Sequence, residues 1–189
     1  MKTLITVLIS CFLISCTSIY EIKVSSFEGV NETNFIYPIA FEELLNKADI
    51  LFSYKAQKNN EIRLSGSGNP AVLYSKVNHL SESGFEIQLG DISRSFWRSD
   101  FYIVNGRPAQ TTGVFTVKFE PTTDGQTQVS VKVEKLEVIN GTECCGPHGR
   151  YSRYTNVAST TIEEYAILYY LGEQLGISMH KPYRPLGAL

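Results

Sequence analysis

The strongest constraint on what this chain can fold into is an alternation of apolar and polar residues between Phe85 and Val133. Phe85, Ile87 and Leu89 occupy every second position, as do Phe115, Val117 and Phe119, and then Val129, Val131 and Val133. A period of two puts those side chains on one face of a half-buried strand. Within Phe96 to Val104, Trp97, Phe101 and Ile103 share one side of a further strand. Pro121 and Asp124-Gly125 separate two of these runs and predict a hairpin with a longer loop. Beyond Val133 the apolar positions shift parity to Leu136 and Val138, the phase change that a β-bulge produces.

Strands with one apolar face build antiparallel sheets whose apolar side needs a cover. The C-terminal stretch offers one. Ile162, Tyr165, Ala166, Leu168, Tyr169, Leu171 and Leu175 give a helix a broad apolar face, and Gly176 suits the residue that ends it. Thr161-Ile162-Glu163-Glu164 reads as a capping box at its start. The expected fold class is therefore α+β: an antiparallel, curved sheet with two or three helices on one face, the C-terminal helix closing the core.

Other segments carry weaker signals. Tyr20, Ile22 and Val24 alternate as a strand. Phe41, Leu44, Leu45 and Ala48 form a helical stripe with Pro38 near its start. Ile50 to Ala56 and Glu61 to Leu64 read as strands around Lys58-Asn59-Asn60. Gly66-Ser67-Gly68-Asn69-Pro70 is a break; Asn69 and Pro70 suit the start of a helix lined by Leu73, Val77 and Leu80 and ended by Gly84, although Val72-Leu73-Tyr74 also fits a strand. Residues 140–156 lack periodicity and read as a loop.

The N-terminus has a separate logic. Lys2 precedes an apolar run from Leu4 to Ile14 that is too short to span a bilayer, which takes about 20 apolar residues. Its length and flanks fit a signal peptide. Leu13-Ile14-Ser15-Cys16 resembles the lipobox of bacterial lipoproteins; Leu8-Ile9-Ser10-Cys11 has the same shape but leaves too little apolar core before it. The resemblance implies a leader at residues 1–15, cleavage before Cys16 and covalent lipid on its sulfur. Two or more acyl chains make such an anchor stable. By the sorting rule of that family, Thr17 in the next position implies the outer rather than the inner membrane, facing the periplasm. The chain then divides into residues 16–19 as lipidated tether, 20–178 as a single domain, and 179–189 as a C-terminal tail whose basic, proline-containing His180-Lys181-Pro182-Tyr183-Arg184-Pro185 reads as a disordered end.

Composition excludes little but sharpens the cysteines. The formal charge of −2 becomes one unit more negative without Lys2, and no basic stripe supports a nucleic-acid partner. Of 4 cysteines, Cys11 leaves with the leader and Cys16 carries lipid. The adjacent Cys144 and Cys145 remain, in a compartment that favours oxidation. Cys145-Gly146-Pro147-His148 resembles the thioredoxin-type Cys-Gly-Pro-Cys, with His148 where the resolving cysteine should be and no helix signal after it. Cys144, Cys145 and His148 also form a weak metal-ligand set. Structural zinc wants four ligands, and His79 and His180 are isolated. The plain reading is a loop turned by Gly146-Pro147 with a vicinal disulfide or free thiols. No cofactor beyond the lipid on Cys16 is expected.

Arg150, Tyr151, Arg153 and Tyr154 are the residue types favoured at interaction surfaces, and Trp97 with its neighbours is a further candidate; a sole Trp on an alternating strand also fits the core. Glu163 and Glu164 are adjacent on a helix, so they do not face one another as an acid–base pair, and capping explains them. Ser67 lacks the flanking glycines of a nucleophile elbow. Asn140-Gly141-Thr142 matches the N-glycosylation pattern, which is idle in a bacterial chain. No catalytic residue is assigned. The expectation is a membrane-anchored cell-envelope lipoprotein that binds an envelope protein or supports assembly without catalysis. The alternatives are a carrier of a small apolar ligand or lipid between sheet and C-terminal helix, and a redox or metal protein using the Cys-Cys-Gly-Pro-His loop.

Overall fold

The alternating segments do form strands. In chain order the elements are β1 (Ser18–Ile19), β2 (Ile22–Val24), β3 (Asn34–Tyr37), α1 (Phe41–Leu51), α2 (Tyr54–Asn59), β4 (Ser75–Asn78), β5 (Phe85–Leu89), β6 (Phe96–Val104), β7 (Arg107–Pro121), β8 (Thr127–Cys144), β9 (Arg150–Asn156) and α3 (Ile162–Gln174). The computed structural model describes residues 17–27, 32–59, 62–64, 71, 73, 75–78, 84–93, 95–144, 150–184 and 186. Among the described residues the class is α+β: an open, antiparallel sheet with three helices, the last near the C-terminus.

Two long strands organise the sheet. β7 and β8 pair from Pro121↔Thr127 to Thr111↔Val138. The other edge of β7 is shared end to end by β5, from Phe85↔Phe119 to Leu89↔Phe115, and by β6, from Phe96↔Thr112 to Val104↔Arg107. The other edge of β8 carries β3 at residues 127–130 and β9 from Glu137 to Cys144. Past the end of β7, Gly141 pairs with Ile19 as well as with Arg153, so β1 occupies the edge of β8 that β7 has vacated. β4 extends β5, and β2 extends β6.

The parity change after Val133 is a bulge. Val114 pairs with Lys135 but Phe115 pairs with Val133, leaving Glu134 without a counterpart. The extra residue lets Val129, Val131, Leu136 and Val138 all be buried despite their broken alternation. β6 and β7 are joined through Asn105 and Gly106, with φ of 51° and 71°, the positive values that a tight hairpin of this twist requires. Phe85 stacks on Phe119 with ring centroids 4.2 Å apart, and Trp97 lies against Phe115 at 6.1 Å.

Helix and sheet are joined by buried aromatics whose polar tips are satisfied. Tyr37 of β3 donates to the Leu168 carbonyl in α3 at 2.6 Å, and Tyr170 of α3 donates to the Leu51 carbonyl at 2.8 Å. Ile167, Leu168 and Leu171 are fully buried in the same core. The end of α3 follows the expectation for Gly176. Its φ is 71°, Ile177 N–H donates to Gly172 O at 2.8 Å, and Gly176 N–H donates to Glu173 O at 3.1 Å, the paired bonds of a glycine stop.

Four expectations are corrected. The segment expected as a helix up to Gly84 contains β4, paired with β5 from Ser75↔Leu89 to Asn78↔Glu86, because a free strand edge outcompetes a weak helical stripe; Asn69, Pro70 and Leu80 lie outside the described residues. Ile50 to Ala56 is not a strand: α1 runs through Leu51 and α2 starts at Tyr54. Ser53 accepts from Ala56 N–H at 3.3 Å, an N-cap that the apolar pattern hides. The stretch read as a loop is largely strand. Among the described residues β9 pairs with β8 alone, and none of its described side chains is buried, so main-chain bonds hold it without any apolar alternation. Finally, Thr161 is no cap: it sits at φ 65° and its side chain makes no capping bond.

Candidate functional site

The first described residues lie in the sheet. Ser18 pairs with Thr142, and their hydroxyls are 3.1 Å apart. Tyr20 N–H donates to Asn140 O at 2.8 Å, and Asn140 Nδ2 donates back to Tyr20 O at 3.2 Å. Asn140 is the extra residue of a second bulge, between Ile139↔Tyr154 and Gly141↔Arg153. The bulge turns its amide inward, where Oδ1 accepts from Thr155 Oγ1 at 3.0 Å. One buried amide thus ties the N-terminal segment to β9 across β8. Gly141 makes room for it, since a Cβ there would overlap the Ser18 carbonyl oxygen.

This clamp brings the start of the folded chain beside four of the residues singled out in the sequence. Cys144 pairs with Arg150, Glu143 with Tyr151, Gly141 with Arg153 and Ile139 with Tyr154. Arg153 Nη1 donates to Glu143 Oε1 at 3.0 Å. Tyr151 and Tyr154 are 51% and 41% exposed, next to Ile19 at 55% and Tyr20 at 43%. Trp97 is not part of this surface. It is 3% exposed in the core and stands three strand spacings from β9, along the row Trp97–Thr111–Val138–Thr155, or about 14 Å. Cys16, Cys145 and His148 lie outside the described residues. Among the described residues no cluster of His, Cys, Asp and Glu has the makings of a metal site, and no helix is long and apolar enough to cross a membrane.

A second feature was missed in the sequence. Glu163 is fully buried and Glu164 is 4% exposed, where capping would have left both in solvent. Thr160 Oγ1 donates to Glu163 Oε2 at 2.8 Å, and Ser159 Oγ donates to Glu164 Oε2. Glu163 Oε1 is buried with no hydrogen-bond partner among the described residues. Burial pushes the Glu163 carboxyl up to about 7, against the lowering effect of the Thr160 hydroxyl, and burial also raises Glu164. Tyr102, which donates to Ala158 O at 2.7 Å, is held above the ordinary phenol range by burial and then by the two carboxylates. The signal was Ser159-Thr160 directly before the helix: two hydroxyls able to follow a carboxylate into the core.

The third feature is the C-terminal segment, which lies along α3 rather than leaving the fold. Tyr165 OH donates to His180 O at 2.8 Å, and Met179 packs where Gly172 has no side chain. An open cavity of about 670 Å³ borders this segment, lined by Glu32, Phe35, Tyr165, Met179, His180 and Tyr183 among others. A smaller one of about 280 Å³ includes Arg63, Tyr169, Tyr170, Glu173 and Lys181. Both are lined by α3 and by residues 178–184.

No family model, no characterised protein and no solved structure matches this chain.

Proposed function

We propose that this chain is a bacterial lipoprotein, held at the membrane by acyl chains on Cys16 and exposed to the periplasm, where it binds another envelope protein without catalysis. The observation that carries the reading is the junction of lipobox and fold. The residue after Cys16 is Thr17, and Ser18 is already paired in the sheet. An anchor placed there holds a folded domain against the bilayer instead of on a long tether. Thr17 favours the outer membrane by the sorting rule of that family.

The three helices share one face of a curved sheet in this reading. Support comes from Phe41 of α1 against Phe85 at 6.1 Å, Tyr170 of α3 against Phe52 at 5.8 Å, and Tyr37 bonded to α3. The partner-binding role falls to the cavity beside the C-terminal segment. It offers the rings of Phe35, Tyr165 and Tyr183 beside a carboxylate and a basic edge, the anchors that partner segments use.

Membrane fractionation of the wild type and of Cys16→Ser tests the anchor. Wild type should stay with membranes through salt and alkaline washes and leave only in detergent, while the variant should be soluble. A variant that fractionates like wild type contradicts the reading. A photo-crosslinker at Tyr183 should capture one envelope protein that the same group at Thr123, in the β7–β8 turn, does not.

A further inference from the structure

We propose that the exposed residues of β9 and β1, namely Tyr151, Tyr154, Ile19 and Tyr20, rest in the interfacial layer of the bilayer that holds the Cys16 lipid. The inference rests on the anchor reading and deepens it by naming what lies against this end of the sheet.

Geometry restricts the choice of occupant. From Cys16 to Ser18 the chain spans at most about 7 Å, even fully extended. Ser18 is fixed opposite Thr142, and Thr142 is fixed opposite Ser152 on β9. Two strand spacings add about 10 Å. A sulfur carrying acyl chains sits at headgroup depth, so β1 and the neighbouring half of β9 cannot stand far from it.

The chemistry of the surface fits that depth. Ile19, Tyr20, Tyr151 and Tyr154 are among the large hydrophobic side chains left exposed. Ile19 and Tyr151 share the face of Arg153 and Tyr154 stands on the opposite one, so this end of the sheet meets the layer edge-on. Tyrosine concentrates at membrane–water boundaries because its ring is apolar and its hydroxyl wants water. One charge close to Tyr151 is neutralised: Arg153 is paired with Glu143 at 3.0 Å. An edge that carries exposed tyrosines suits the interfacial layer of a bilayer, where the rings rather than the charges make the contact. A protein partner on the same residues would need no lipid.

The test uses the mature, natively lipidated chain in vesicles of phosphatidylcholine and phosphatidylethanolamine brominated near the top of the acyl chains. Tyr151→Trp, Tyr154→Trp and Thr123→Trp each add emission to that of buried Trp97. The added emission at 151 and 154 should be quenched and blue-shifted, while that at 123 keeps its intensity. The intact mass of the same sample reports whether lipid is present. If lipid is attached but 151 and 154 are quenched no more than 123, the interfacial contact is wrong while the anchor stands, and the surface is free for a protein. If the mature chain carries no lipid, anchor and contact fall together.

Discussion

Asn140 and Tyr20 are bonded to each other twice: Tyr20 N–H donates to Asn140 O at 2.8 Å, and Asn140 Nδ2 donates to Tyr20 O at 3.2 Å. They stand 120 residues apart in the chain, and through them the N-terminus becomes part of the sheet.

Asn140→Ala removes both side-chain bonds of a residue that is 6% exposed, those to Tyr20 and to Thr155. Stability should fall by about 1–3 kcal/mol. Proteolysis should nick the chain near Tyr20 and in β9, the two segments that this amide ties to β8, before it attacks the strands that make no bond to it. Chemical denaturation and limited proteolysis read the two effects.

Gly141→Ala puts a methyl group into the Ser18 carbonyl. We expect β1 to detach, at a cost of about 1–3 kcal/mol, with β8 and β9 still paired. Hydrogen exchange should quicken at the Tyr20 amide and stay slow at Val131 and Val138. Retained protection at Tyr20 would show that β1 tolerates the methyl group.

Tyr37→Phe deletes the bond to Leu168 O without changing the packing of the ring. The loss should be about 1 kcal/mol, read by thermal or denaturant unfolding.

Glu163 governs a pH dependence of opposite sign to that of most carboxylates. Its folded value, about 7, lies above the ordinary 4.5. The folded state therefore holds its proton more tightly than the unfolded state. The stabilising contribution is complete below pH 4.5 and is lost as pH rises through about 7. The full span is on the order of 3 kcal/mol. Glu163→Gln should abolish this loss, so that the variant is the more stable protein at pH 8 and differs little from wild type in acid. Parallel stability curves for the two proteins across that range would contradict the assignment. Glu164 and Tyr102 are the ionisable groups nearest to it.

Where a segment buries one face, its sequence states its structure. Phe85 to Leu89, Phe115 to Phe119 and Val129 to Val138 were legible as strands, down to the bulge at Glu134, because burial imposes period two. β9 was illegible for the converse reason: an edge strand with none of its described side chains buried obeys main-chain bonding, which leaves no pattern in side chains. β4 went to the sheet because pairing with β5, between partners 8 to 14 residues apart, is a gain that the propensity of the segment alone cannot register. The hairpin residues Tyr151, Arg153 and Tyr154 were recognisable by type, but their place beside the N-terminus follows from the pairing of Gly141 with both Ile19 and Arg153. The buried glutamates were misjudged because Thr161, Glu163 and Glu164 carry the pattern of a cap while Ser159 and Thr160 supply the hydroxyls.

The most direct measurement is the intact mass and N-terminal peptide of the protein extracted from its own membranes. The expected result is a chain beginning at Cys16 and carrying diacylglyceryl or further acyl mass on that residue. A chain that retains Met1 to Ser15, or one beginning at Cys16 with no added lipid, would contradict the account.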